Sequence, residues 1–294
     1  MIDLHLHTSY SDGTDSVSEL LENAEKSKLE IISITDHDSV SAYYELQNNP
    51  KTRNKFSGEI IVGSELKTSF ENINIEILAY GIDYKLIDIK RENKEKIQND
   101  ILKHLISVAK DLSIKVDNNL EVNLNDPNKL FASCVFVDSI LKYNENKDIL
   151  NSLGQIDRLT FYRFHEGNVN SPFYYNTSIY YDDYISLIEK IHNAGGLAFL
   201  AHGLLYNVKD KKEFVERILK TTNIDGLECI HPGFNIDEQK YMIELCKKYN
   251  KYISGGSDYH AKNKPTTFIG TGINNNILVK KETIKDWYYK VNKI

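Results

Sequence analysis

The sequence predicts an α/β protein with a parallel sheet or barrel, interrupted near its middle by a helical insertion. Three observations carry this. Strand-like and helix-like patterns alternate over residues 2–62, the alternation resumes from about residue 184, and a long charged helical stretch lies between. The first alternation begins with the apolar run 2–6, a helix over 17–28, a strand at 31–34, a helix from about Ser39 and a strand at 60–62. Ser16 followed by Glu19 has the spacing of a capping box, and Val17, Leu20, Leu21 and Ala24 form the apolar face behind it. Over 68–82 the pattern changes to two extended runs. Ile73, Ile75 and Ile77 alternate with polar neighbours and Glu71-Asn72 supplies the turn of a hairpin.

The insertion is assigned to residues 85–170, with the barrel formed by 1–84 and 171–294. Its pattern is a charged helix from about Lys85 through Arg91 and Lys96 to Lys110, a polar loop with Pro127, a helix over 135–141 and irregular sequence thereafter. Beyond it, Ile185, Ile188 and Ile191 share one face of a helix stopped by Gly195-Gly196. Strands are expected at 197–201, 226–230 and 252–254, helices at 211–219 and 237–249, and a last helix at 282–289.

Hydrophobic residues make up 41% of the 294 and charged residues 27%, a balance that supports a large buried core and excludes a disordered chain. The opening residues read directly as a strand, without the pattern of a leader or transit segment, so a cytoplasmic location is expected. No apolar run reaches the roughly 18 residues that span a membrane. Cys134, Cys229 and Cys246 are odd in number and lack metal-knuckle spacing, so they read as buried thiols. A net charge of −6 argues against stable duplex nucleic-acid binding, which needs many phosphates neutralised by Lys and Arg. It leaves room for an anionic ligand in a pocket whose sign bound divalent ions reverse.

Polar residues gather where the predicted strands end. His5 and His7 close the first strand two residues apart, hence on one face, and can reach one metal; Asp12 follows in a Ser-Asp-Gly turn. Later strands end in Thr35-Asp36-His37-Asp38, Gly63-Ser64-Glu65, Ala201-His202, Glu228-Cys229-Ile230-His231 and Gly256-Ser257-Asp258-Tyr259-His260. One histidine at a strand end is ordinary. Acids and imidazoles at the same end of nearly every strand are costly to bury unless they serve a metal.

These ordered motifs resemble those of the PHP (polymerase and histidinol phosphatase) family from Met1 to about Pro265, the insertion aside. The Ser-Asp-Gly-Thr turn and the insertion are most similar to its branch of small-molecule and oligonucleotide phosphoesterases. The resemblance implies a distorted seven-stranded (β/α) barrel with a trinuclear centre, holding two or three divalent ions among manganese, iron, magnesium and zinc. It implies that His5, His7, Glu65 and Asp258 hold one ion, Asp12, His37 and His260 a second, and Glu65, Glu76 and His202 a third, with Glu65 bridging. Glu76 stands where the family usually has His, a change that favours harder ions over zinc or weakens the third site. The Arg-Gly-His motif of the nucleotide-cleaving branch is missing near 131–136, where Cys134 occupies about the place of its His.

Such a cluster produces hydroxide near neutral pH and clamps phosphate oxygens, so the expected activity is metal-dependent hydrolysis of a phosphomonoester or phosphodiester. The expected substrate is a small phosphorylated molecule: a nucleotide, a nucleoside bisphosphate or a short oligonucleotide. Asp36 and His231 are the candidate catalytic groups. Asp36, like Asp38, orients an imidazole or starts a helix, and His231 donates a proton to the leaving group or binds phosphate. Arg158 and Arg163, with Tyr162 and His165, offer cations and aromatic rings for phosphate and base. The alternatives are histidinol phosphate hydrolysis, metal-dependent deacylation, and a non-catalytic metal-stabilised regulatory module.

Overall fold

The structure is a computed structural model that describes residues 1–89, 94–123, 131–158 and 160–294. Arg91 and Pro127, which the sequence placed on a helix and in a loop, lie outside the described residues. The first alternation folds as β1 (Ile2–Leu6), α1 (Val17–Lys26), β2 (Ile31–Ile34), α2 (Ser41–Asn48), the single turn α3 (Pro50–Arg53), β3 (Glu59–Phe70) and β4 (Ile73–Tyr80). The capping box of Ser16 and Glu19 is present at α1.

After the insertion come α7 (Tyr184–Asn193), β5 (Leu197–Leu200), α8 (Lys211–Thr221), β6 (Gly226–Ile230), α9 (Ile236–Tyr249) and β7 (Tyr252–Gly255). The strands form one seven-stranded sheet in chain order. Pairing is parallel from β1 to β3 and from β5 to β7, whereas β4 runs antiparallel to both neighbours. The predicted strand at 60–62 and the first arm of the predicted hairpin are therefore one continuous strand of 12 residues, β3. Its first four residues pair with β2 and the remaining eight, beyond the end of β2, pair with β4. Glu71 and Asn72 both take positive φ, 50° and 63°, the double left-handed turn that suits the twist of a two-residue hairpin.

The sheet curls until the segment after β7 meets β1. His7 N–H donates to the Tyr259 carbonyl at 3.0 Å and Tyr259 N–H to that of His5 at 3.3 Å. Gly256 permits this approach, since a Cβ there would stand 2.4 Å from the His5 nitrogen and 2.5 Å from its Cβ. The result is an open, curled sheet with helices around it, a distorted (β/α)7-type barrel with helical insertions.

The predicted last helix is instead two short 3₁₀ turns, Lys281–Ile284 and Tyr288–Lys290. Between them Trp287 is buried, stacks on Tyr80 at 5.4 Å and donates to the Ile253 carbonyl at 2.9 Å. Docking that ring outweighs continuation of the helix.

The insertion carries α4 (Lys94–Asp111), α5 (Ala132–Ile140) and α6 (Lys147–Leu153), followed by a π-helical turn at Tyr162–Glu166. It has its own apolar core, with Ile101, Leu105, Phe136, Phe161 and Phe173 at its centre, and that cluster runs on to Tyr180. Cys229 and Cys246 are buried, with their sulfurs 3.5 Å apart as free thiols. Cys134 is only half-buried and lines the main cavity, contrary to the expectation of three buried thiols. Among the described residues no helix is long and apolar enough to cross a membrane.

Candidate metal centre

All nine residues expected to ligate metal converge at the mouth of the curled sheet. His5 and His7 leave β1 on one face, with Nε2 atoms 3.1 and 3.3 Å from Glu65 Oε2 and 3.6 and 3.5 Å from Asp258 Oδ1. Asp12 stands beside them, 3.5 Å from His7 Nδ1, 3.6 Å from His37 Nε2 and 3.1 Å from His260 Nε2. Glu65 reaches the mouth because β3 outruns β2. Its other oxygen lies 3.0 Å from His202 Nε2, and Glu76 closes the third group at 3.4 Å from His202 and 3.5 Å from His37. Three sets of ligand atoms, each within 4.8 Å of one another, are His5, His7 and Glu65; His7, Asp12, His37 and His260; and His37, Glu65 and Glu76. His37 thus faces two of the expected sites rather than one.

The residues fit metal on chemical grounds. His7 Nε2, Asp12 Oδ1 and His37 Nδ1 are buried without a hydrogen-bond partner among the described residues, a costly arrangement unless a cation satisfies them. Burial raises the carboxyl of Asp12, yet the neighbouring His260 and His37 hold it well below the usual range. Burial likewise opposes ionisation of Glu65, outweighed by His5 and His37, and of Asp258, outweighed by Lys264 and His5. Burial pushes His37 well below the ordinary imidazole value. Ionised carboxylates are the donor state that divalent ions require. Burial and the Glu65 charge push Glu76 up to about 7, so it is the most easily protonated carboxylate of the cluster. Two of the residues also sit in left-handed backbone, His202 at φ 30° and Asp258 at φ 53°, a cost concentrated where side chains must be aimed.

Outer partners hold the donors in place. Glu228 is fully buried on β6, with Oε1 2.8 Å from His5 Nδ1 and Oε2 accepting the His202 backbone N–H at 2.7 Å. This leaves His5 Nε2 facing the cluster, the carboxylate–histidine arrangement typical of metal sites. Tyr206 accepts the Glu76 N–H at 2.8 Å and donates to the Ala201 carbonyl at 3.1 Å, joining β4 to the segment after β5. The Lys264 ammonium pairs with Asp258 Oδ2. The sequence marked Glu228 at a strand end without giving it a role, and did not mark Tyr206 or Lys264. The signal was there for Glu228, a charged residue inside a strand whose other members are all apolar or small.

Asp36 and His231 stand behind the donors, outside the lining of the cavity. Asp36 accepts from Thr8 N–H at 2.7 Å and from the hydroxyls of Thr8 and Ser11 at 2.6 Å each, and it does not line the cavity. Ser11 Oγ lies 3.3 Å from His7 Nδ1, so Asp36 positions the loop that orients an imidazole, with its lone pairs already occupied. His231 Nδ1 accepts the Gly233 N–H at 2.9 Å, which places the proton on Nε2, 3.3 Å from Asp258 Oδ2. It steadies Asp258 and is also absent from the cavity wall.

That cavity, of about 400 Å³, opens from Asp12, His37, Glu65, Glu76 and His202 towards the insertion. Arg158, Tyr162 and Arg163 line it as expected, Arg158 held by Asp138 at 3.1 Å. His165 does not. It is buried in the insertion, stacked on Phe161 at 5.0 Å with Nε2 2.9 Å from the Gln155 carbonyl.

The chain is 26% identical over 263 residues to a 5′-3′ exoribonuclease of Haemophilus influenzae, covering 88% of this chain and 89% of that protein. It is 24% identical over 267 residues to a phosphoribosyl 1,2-cyclic phosphate 1,2-diphosphodiesterase of Eggerthella lenta, covering 88% and 94%. A Chromobacterium violaceum structure described as an amidohydrolase shares the fold, with a TM-score of 0.64 and 19% identity over 96% of this chain and 95% of its own. The side-chain clusters have the capacity for two or more divalent ions, and the site is that of a metal-dependent hydrolase beside a pocket for a phosphate-containing substrate. Since the PHP domain pattern is matched over residues 3–252, most of its length, the chain belongs to the PHP domain family.

Proposed function

We propose that this phosphoesterase hydrolyses a nucleotide, a nucleoside bisphosphate or the end of a short oligonucleotide, without stable binding of duplexes. The observation that supports the reading best is the continuity of the acid–histidine cluster with a 400 Å³ cavity whose far wall bears arginines and tyrosine. That volume suits a ligand larger than a bare phosphate. The exoribonuclease and the cyclic phosphodiesterase to which the chain is similar each cleave a phosphodiester by name, which supports the same chemistry here.

In this reading His5, His7, Glu65 and Asp258 hold one ion, Asp12, His37 and His260 a second, and Glu65, Glu76 and His202 a third, with His7 and His37 close enough to be shared. The oxygen-rich third set favours manganese, iron or magnesium over zinc. Divalent ions there supply acidified water and neutralise phosphate charge. The chain's own residues do the rest: Glu228 and His231 fix the donors, Tyr162 offers a ring for a base, and Arg158 and Arg163 meet phosphate oxygens with planar forks.

The test is manganese-dependent phosphate release from nucleoside bisphosphates, short oligoribonucleotides, histidinol phosphate and an aryl phosphate, beside a chelated control. Turnover of the nucleotide substrates is expected. His7→Ala and Asp258→Ala are expected to lose more than the roughly 10–100-fold that loss of an outer partner costs. Full activity in either variant, or preference for histidinol phosphate, refutes the assignment.

A further inference from the structure

Lys67 is a cation of the cavity wall that stands outside the acid–histidine cluster. Lys67 follows Glu65 by two residues on β3, so both side chains leave the same face of the strand. At about 3.4 Å of rise per residue, Lys67 stands roughly 7 Å farther out than Glu65, at the junction of cluster and insertion. It lines the same cavity. Its backbone N–H donates to Asp38 Oδ1 at 3.0 Å, which ties the strand to the segment after β2. With it on the cavity wall stand Tyr162 and Glu166 of the insertion, Tyr181 beyond the insertion, and Glu76 directly across the ladder. Among the described residues no carboxylate comes within ion-pairing distance of it.

Two other cations of the cavity wall are engaged. Arg158 pairs with Asp138 and Lys264 with Asp258. Lys67 is half-buried and lines the space that a substrate would fill, so its charge is available to an anionic group there. Resting on the phosphoester reading above, we propose that Lys67 clamps a second anionic group of the substrate, held about one sugar's length from the phosphate that sits at Glu65. Lys67 is then a substrate-positioning residue that selects doubly anionic esters over esters whose single phosphate is engaged at the cluster.

The experiment compares wild type with Lys67→Met, which keeps the apolar stem, and with Lys67→Arg, which keeps the charge. Each is assayed with manganese on a nucleoside 3′,5′-bisphosphate and on an aryl phosphate. For the bisphosphate, KM is expected to rise about tenfold or more in Lys67→Met, as for loss of one charge-assisted hydrogen bond. It should be largely restored in Lys67→Arg, while the aryl phosphate stays within about twofold in kcat and KM. Equal losses on both substrates, or no loss on either, overturn the clamp and leave Lys67 as a brace between β3 and the insertion. If wild type turns over no phosphoester, the phosphoester reading fails. The anion site is then judged by inorganic pyrophosphate binding to the metal-free protein: affinity at least about fivefold weaker in Lys67→Met supports it, and equal affinity overturns it.

Discussion

Glu228 joins two parts of the centre through one carboxylate, because each oxygen serves a different strand: the His5 imidazole on β1 and the His202 backbone after β5. It is a buried anion whose charge is answered by the histidine it orients, and burial raises its carboxyl less than His5 and His231 lower it. Glu228→Gln keeps the shape but replaces one acceptor by a donor, so the His5 ring loses its fixed tautomer. We expect metal affinity to fall about 10–100-fold with the fold intact, read by metal titration beside circular dichroism. Unchanged affinity would show that Glu228 serves packing alone. The identity of the donors was legible in the sequence, since His and acid stood after nearly every strand. What each neighbour does was not. Asp36 and His231 stand in the right places, and only the count of lone pairs shows that Thr8, Ser11, Gly233 and Asp258 already occupy them.

At the scale of elements, the closure between β1 and the segment after β7 brings His5 and His7 to Asp258 and His260. Gly256→Ala would drive a methyl group against the nitrogen and Cβ of His5, neither of which can yield without moving β1. The expected cost is about 1–3 kcal/mol or more, several degrees in Tm, with weakened metal binding because β1 itself must shift. A calorimetric scan with and without manganese checks both, and an unaltered Tm would mean that the closure is looser than drawn. Strands and helices of the alternating regions were legible because their periods differ. The direction of β4 was not, since a two-residue period marks which face is buried but not which way the chain runs. The final 3₁₀ turns were not legible, because the partners that hold Trp287 lie far off in the chain.

For the molecule as a whole, four carboxylates, Asp12, Glu65, Glu76 and Asp258, converge on a space walled by buried imidazoles. Ions that bind this folded arrangement and not the unfolded chain stabilise it by mass action, about 2.7 kcal/mol at a hundred times Kd. Thermal melts are therefore expected to rise by several degrees with manganese, to fall with chelator, and to lose most of that response in His7→Ala. Identical melts with and without metal would contradict a folded-state centre. The insertion was legible as helical and separate in pattern, whereas its core, with His165 among the phenylalanines, was not, because residues 142–180 follow no single period.

The antiparallel pairing of Ile77–Tyr80 with Leu197–Leu200 also bears on how the chain acquires its shape during synthesis. The first four strands leave the ribosome long before β5 exists, so one edge of β4 waits unpaired, a template for wrong partners. Because closure entropy grows only with the logarithm of loop length, the long interval costs little at equilibrium. Its burden is kinetic, and an insertion that gathers its own apolar core during that interval shortens the effective span to be closed, bringing residue 197 back to the strand that awaits it.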